Sequence, residues 1–464
     1  RFLMLVQAVA VFAVVITAML VAIIRFKVHP FLAMIVSAVV MGLGSGITPT
    51  DVTGHISQGF GGAVGGVGML VLFGMIFGSI LQQSGVAASM AAMMLRRVSP
   101  QRVPLTMNLT GWLVGVPVTF DAAFVLLIDV AKNLARSAKV PLITVVTALT
   151  VGLQVAHNML IPTPGPLTVA GNVNASIPWM LLWTTVVSLP AALIGGVLYG
   201  RWLGRRREYA TSFGELPGDA AAPAEQNDVA ATPAPSGALG ISLALLPIVL
   251  ILLGHGVAQF LDEGTAWQMA LAFVGNPTIA LLTSVIVSFL ALRRYLQGTL
   301  TEITRAATWA AAPTVVILGA SGALGRMIAQ SPIGTKLPEV LADMPQTAML
   351  GTVMVIIAWV VAQMMRFAMG GTSVSLMTSS AIMGPIIAGM SGVSPVLIAV
   401  AITSGALGLS LPTNARFWLV AEGSGLDMKS TLRSWTVGLT ISGIVGLVLV
   451  TVLSLFASVL PGLH

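Results

Sequence analysis

The sequence contains no cysteine and very little charge. Without cysteine there are no disulfides, no iron–sulfur clusters and no thiolate zinc sites. Charged residues make up 8% of the chain, against about 25% in a soluble protein. The 5 histidines are scattered, with no His-x-x-x-His pair and no acidic cluster beside them. That argues against a metal site and against an integral membrane enzyme built on paired carboxylates. No Walker lysine follows the glycine-rich run Gly59–Gly68, which reads as close helix packing through small residues.

Apolar sequence fills the space. Hydrophobic residues make up 56% of 464 positions, and the mean hydropathy is +0.97. Apolar runs near the ~20 residues that cross a bilayer recur along the chain, without the alternating ~10-residue strands of a barrel. The expected fold is an all-α polytopic membrane protein with lipid as its surroundings. The net charge of +7 does not indicate nucleic acid, because lysine and arginine sit at the ends of apolar runs, as the positive-inside rule requires. The chain opens on Arg1 with no cleavable signal pattern, so a native start upstream is expected.

One segment is unlike the rest. Residues 204–237 are polar and rich in alanine and proline, the composition of a flexible linker. They divide the chain into halves, 1–203 and 238–464. Phe77–Ser84 resembles Leu324–Ser331, and the offset from Gly78 to Gly325 is 325 − 78 = 247 residues. The same offset carries Thr119 onto Arg366, which places two polar breaks in register. The first break is Val116-Pro117-Val118-Thr119-Phe120-Asp121. The second is Arg366-Phe367-Ala368-Met369-Gly370-Gly371-Thr372-Ser373. Shared register of two features points to an internal duplication.

Basic clusters at Arg25/Lys27, Arg96/Arg97/Arg102, Lys132/Arg136/Lys139 and Arg201/Arg205/Arg206/Arg207 belong on the cytoplasmic side. The chain between Arg102 and Lys132 is too short for two spans of ~20 residues each. It is expected to form a re-entrant hairpin over 103–131. The matching segment, 350–394, is flanked by Glu339 and Asp343 and reads as entering from outside. Two inverted repeats with hairpin tips near the midplane form the arrangement of secondary transporters. Backbone of this kind is tolerated at membrane depth only where it lines a protein-enclosed cavity. With no ATPase motif, an ion gradient is the expected energy source. A passive channel would lack saturation and gradient dependence.

The breaks resemble a known family. Pro117–Phe124 is similar to the Pro-x-x-Phe-Asp-x-(Gly/Ala)-Phe motif of the gluconate permease family, proton-coupled sugar-acid symporters of a wider ion-transporter superfamily. His157–Pro166 resembles its His-Gly-x-x-Pro-Pro-His-Pro-Gly-Pro motif, and Arg366–Val374 its Arg-x-Ala-x-Gly-Ser-Ala-Thr-Val motif. Phe417–Val420 and Gly425–Thr436 resemble its C-terminal region. The resemblance implies an inner-membrane homodimer with an elevator-type scaffold and a mobile transport domain. It also implies proton coupling without a bound cofactor. Two departures bear on substrate and coupling. Thr163 stands where the family has a second histidine, and Leu411–Arg416 replaces His-Val-Asn-Asp-Ser-Gly, so that Asn414 replaces an acid and Arg416 is a new cation. A sodium-coupled or exchange carrier for another organic anion or amino acid is the alternative these changes motivate.

The candidate site follows from chemistry at these positions. Arg366 offers bidentate donors to a carboxylate, and arginine is costly at membrane depth unless it has work there. It serves as a substrate contact, or pairs structurally with Asp121, or lies at the interface. Gly370 and Gly371 let backbone N–H groups approach an anion, and a half-helix opening at Thr372 and Ser373 points its positive end at one. Asp121 is either the proton carrier, freed when a substrate carboxylate competes for Arg366, or a cap at the hairpin tip. His157 titrates near neutrality or packs. Thr119, Asn158, Thr163 and Asn414, with Thr413 and Ser410, supply hydroxyl and amide groups suited to a polyol. The stretch Thr163-Pro164-Gly165-Pro166 is expected to be unwound.

Overall fold

The computed structural model describes residues 2–95, 98–213, 235–258, 261, 265–336, 348–388, 390, 392–412 and 414–463. The linker from 214 to 234, the flank bearing Glu339 and Asp343, the Arg96/Arg97 pair and Thr413 lie outside them. The described residues are helical, with eight helices long and apolar enough to cross a membrane.

The first half runs α1 (Phe2–Ile24), α2 (Pro30–Gly44), α3 (Pro49–Gln83), α4 (Val86–Met94), α5 (Val103–Val114), α6 (Phe120–Ala138), α7 (Leu142–Met159), α8 (Pro164–Asn172) and α9 (Ile177–Gly204). The second runs α10 (Gly237–Ala258), α11 (Ala266–Gly275), α12 (Pro277–Leu292), α13 (Leu300–Gln330), α14 (Ala348–Met369), α15 (Thr372–Ile387), α16 (Pro395–Gly405), α17 (Ala415–Ser424) and α18 (Met428–Leu455). Single π-helical stretches interrupt α3 at Val64–Gly68, α9 at Leu193–Leu198 and α18 at Leu432–Thr436.

Local sequence explains the elements. α1 is an apolar run broken only by Gln7 and Thr17, with no charge in its first or last turn. α6 buries Phe120, Ala123, Phe124, Leu127, Ala131 and Ala135, a three-and-four spacing, and turns Asp129 outward. α7 and α16 are buried over almost every residue, which puts them at the centre. Lipid is as apolar as leucine, so helices associate through close packing and interhelical hydrogen bonds instead of hydrophobic expulsion. Here α5 meets α7 where a Cβ on Gly152 would stand 2.3 Å from the Asn108 carbonyl oxygen. Asn108 Nδ2 donates to Ala148 O at 2.8 Å and Ala192 O at 3.1 Å, tying α5 to α7 and α9. Trp359 Nε1 donates to Gly443 O at 2.9 Å, tying α14 to α18.

The largest buried cluster gathers residues of α5 to α9 and α14 to α18. A second joins α1, α2, α3 and α13. A third joins the end of α3 to α10, α12 and α13. Thus α3 and α13 run between the central helices and an outer set. Two α3 glycines press on breaks in the central set: a Cβ on Gly74 would meet Pro162 O at 2.7 Å, and one on Gly78 would meet Pro117 O at 2.4 Å.

One local expectation is corrected. Within the segment Thr163–Pro166 only Thr163 is unwound: it is extended, and Pro164 opens α8 at its first position. Proline lacks only an N–H that a first turn leaves unpaired, and its fixed φ suits a helix start. The unwound residues are Leu160 to Thr163, between α7 and α8. The glycine-rich run of α3 also divides. Gly59 packs against Gly322 of α13, where a Cβ would lie 2.5 Å from its carbonyl oxygen, whereas Gly62, Gly65 and Gly66 face open space.

Candidate functional site

Three chain breaks converge. α5 ends at Val114, and α6 begins at Phe120 after extended Thr119, which places Asp121 in a first turn where a carboxylate is favoured. α14 ends at Met369 because Gly370 takes φ +68°, and the Gly370 N–H returns to Arg366 O at 3.1 Å. Extended Gly371 then opens α15. The third break lies between α16 and α17, where Asn414 caps α17 by accepting from the Arg416 N–H at 3.0 Å.

Arg416 is the hub. Its Nε stands 3.4 Å from Asp121 Oδ1, with the Asp121 side chain 56% exposed and that of Arg416 only 18%. The same guanidinium donates to Gln154 Oε1 at 3.2 Å, lies 3.4 Å from His157 Nε2 and stacks 5.3 Å over the Phe120 ring. Gln154 reaches onward from α7 to the Thr372 hydroxyl at 3.5 Å.

Arg366 lies 1% exposed and has no carboxylate partner among the described residues. Its guanidinium donates to Gly370 O and, at 2.7 Å, to Ser410 Oγ, while its Nε is buried without a partner. Ser410 Oγ also accepts from Trp435 Nε1 at 2.8 Å and from Asn414 Nδ2 at 3.3 Å. The pairing of Arg366 with Asp121 is therefore corrected. The carboxylate belongs to Arg416, because Asn414 turns α17 so that its first-turn cation meets the first turn of α6.

Thr119, His157 and Thr163 line a cavity of about 240 Å³, walled on the far side by Gly78 and Gln82 of α3 and Ala310 of α13. Thr163 Oγ1 donates to Leu160 O at 2.5 Å, and His157 Nδ1 is buried without a partner. Asn158 points elsewhere: its Nδ2 donates to Thr403 O at 2.6 Å, a tie between α7 and α16. Gly371 and Ser373 stand at the open start of α15, with room around Gly371, whose Cβ would find nothing nearer than 3.8 Å.

Against known proteins, the model of the GntP family permeases matches residues 5–456. The chain belongs to that permease family. A gluconate permease of Pseudomonas aeruginosa is 33% identical over 95% of this chain and 96% of its own length. The low-affinity gluconate transporter of Escherichia coli is 30% identical, over 91% and 92%. The D-serine transporter DsdX of the same organism is also 30% identical, over 92% and 93%. Among solved structures, the YdaH transporter of Alcanivorax borkumensis matches with a TM-score of 0.64 at 16% identity, over 87% of this chain and 89% of that one, a likeness of fold alone. The permease is a membrane transporter, not an enzyme.

The permease thus brings Asp121, His157, Arg366, Gly370, Thr372 and Asn414 into one polar network and sets Thr119 and Thr163 on the adjoining cavity. Sequence reading missed Gln154, Gln363 and Trp435. Gln363, one turn before Arg366, holds both amide ends buried without partners among the described residues. The available signal was an amide inside an apolar span, at Gln154 and Gln363.

Proposed function

We propose that this permease imports a small hydroxylated carboxylate, a sugar acid of the gluconate type, across the inner membrane by proton symport with alternating access. The Asp121–Arg416 pair carries the reading. A carboxylate from the cavity competes for the Arg416 guanidinium, whose planar fork suits it. Asp121, freed from the guanidinium, is the carboxylate left to take up the coupling proton. Substrate and proton then load together. Thr119, Thr163 and His157 face the cavity with groups that suit hydroxyls.

Charge balance favours a plain anion over an amino acid. Arg366 and Arg416 supply two cations near one carboxylate, and that carboxylate is engaged. An ammonium group would have to take Asp121, the carboxylate that this reading assigns to the proton. The D-serine relative makes the amino acid the second reading. The inner-membrane placement follows the relative YgbN of Escherichia coli, an inner membrane permease 29% identical to this chain.

In this reading 1–203 and 238–464 are inverted repeats joined by a cytoplasmic linker, 204–237. Hairpins at about 103–131 and 350–394 belong to a mobile domain that moves against a scaffold at a homodimer interface. The match of the two breaks at one sequence offset supports the duplication. Uptake of radiolabelled gluconate into proteoliposomes tests the function. Saturable uptake driven by an inward proton gradient is expected. Uptake driven only by sodium, or of D-serine in place of gluconate, overturns it.

A further inference from the structure

A second and larger cavity, of about 750 Å³, lies away from the polar network. Gln58, Gly62 and Gly66 of α3, Arg326 of α13 and Asn172 and Asn174 at the end of α8 line it. Its lining is related to that of the first cavity by the 247-residue offset found between Gly78 and Gly325. Gly78, Ser79 and Gln82 of the first correspond to Gly325, Arg326 and Ala329 of the second. Ala306 and Ala310 of the first correspond to Gly59 and Ala63 of the second. Along α13 the two cavities are roughly 25 Å apart at 1.5 Å per residue. Their lining residues lie towards opposite ends of that helix.

Two equivalent positions differ in polarity: Gln82 is matched by Ala329, and Ser79 by Arg326. Where the first cavity has the Ser79 hydroxyl, the second has the exposed Arg326 guanidinium. Arg326 lies in the last turns of the apolar span Leu300–Gln330. Its side-chain contact is Gln58 Oε1 at 3.2 Å, and no carboxylate pairs with it among the described residues. Among the described residues, no acidic side chain lines the cavity. Gly62 and Gly66 keep it open, since a Cβ on either would meet nothing within 4 Å. A single cation in a recess with low-dielectric walls concentrates anions.

We propose that the Arg326 cavity is a second anion site, which holds the carboxylate of the permeant acid at the membrane face opposite the first cavity. Its ligand class rests on the reading of the central site; the site itself does not. Arg326 binds the carboxylate, Gln58 orients the guanidinium, and the Asn172 and Asn174 amides lie within the recess for hydroxyl groups.

The absence of cysteine makes the test clean. A Gly62→Cys variant places one thiol in the cavity, and its labelling rate by an anionic, sulfonate-bearing thiosulfonate is compared with that by a cationic, trimethylammonium-bearing one. The measurement uses the full-length protein in phosphatidylcholine vesicles. Adding Arg326→Gln is expected to lower the anionic-to-cationic rate ratio about tenfold, and Arg326→Lys to preserve it. Sodium gluconate is expected to slow labelling relative to sodium chloride only while the cation is present. An unchanged ratio in Arg326→Gln overturns the proposal. So does slowing by neither gluconate nor lactate, or slowing only when phosphatidylglycerol is added, which makes the occupant a lipid headgroup. Slowing by lactate but not gluconate supports the site and overturns the sugar-acid reading instead.

Discussion

Asp121 and Arg416 meet at 3.4 Å although each comes from the first turn of a different helix, one in each half of the chain. The pair joins the α5–α6 break to the α16–α17 break. It is half exposed on the acid side and enclosed on the arginine side, the arrangement of a contact that a soluble carboxylate can enter.

Replacing Asp121 by Asn is expected to leave exchange of labelled for unlabelled substrate and to abolish accumulation against a proton gradient. The amide keeps the shape but cannot carry the proton. Arg416→Gln is expected to raise the apparent Kd for substrate at least a hundredfold, as loss of a charge-assisted contact worth about 3 kcal/mol does. Counterflow and pH-driven uptake in the same vesicles separate the two. Proton-driven accumulation by Asp121→Asn would remove the acid from the coupling step.

Arg366 holds the α14–α15 break against the α16–α17 break through Gly370 O and Ser410 Oγ. Arg366→Ala is expected to destabilise the permease by about 3 kcal/mol, since it empties a buried site and strips the hub at Ser410 of its charged donor. Thermal unfolding in detergent should show a fall in Tm larger than that of Arg416→Gln. Arg366→Lys restores the charge without the fork, so it should recover part of the stability and little of the uptake.

Gly78 gives a steric test. A methyl group there would stand 2.4 Å from the carbonyl oxygen of Pro117, backbone that cannot swing aside, whereas Gly65 on the same helix has nothing within 4 Å. Gly78→Ala is expected to displace the α5–α6 break, cost about 1–3 kcal/mol as overpacking does, and reduce uptake severely. Gly65→Ala should behave as the parent chain in both uptake and Tm.

The breaks were legible because they are written in proline, glycine and isolated charge, residue types with strong local consequences. Gly370 ends α14 where expected, and α15 opens at Thr372. The Pro162–Pro166 region was half legible: proline excludes a helix interior but favours a helix start, and only packing against Gly74 decides which applies. The partner of Asp121 was not legible. Arg366 and Arg416 are equally plausible by charge, and the choice depends on how Asn414 turns α17. Trp435 was hidden for a related reason, since its hydrogen bond to Ser410 exists only once α18 lies against the break.

Asp427 lies outside the apolar spans and gives a pH test free of the transport site. It caps α18, its Oδ1 accepting from the Ser430 N–H at 3.1 Å. Hydrogen bonding by the Ser430 side chain, and less strongly by its N–H, holds its carboxyl below the usual range. A carboxyl whose folded pKa is depressed contributes stability that is complete above its unfolded pKa, near pH 4, and is lost as pH falls through the folded value. Asp427→Ala is expected to cost about 1 kcal/mol at neutral pH, the usual effect of losing an N-cap. The difference in Tm between parent and variant should shrink below about pH 4, while Asp427→Ser, which can still cap, stays close to the parent across the whole range. A Tm difference that persists unchanged under acid would mean that the ionised carboxylate is not what secures the start of α18.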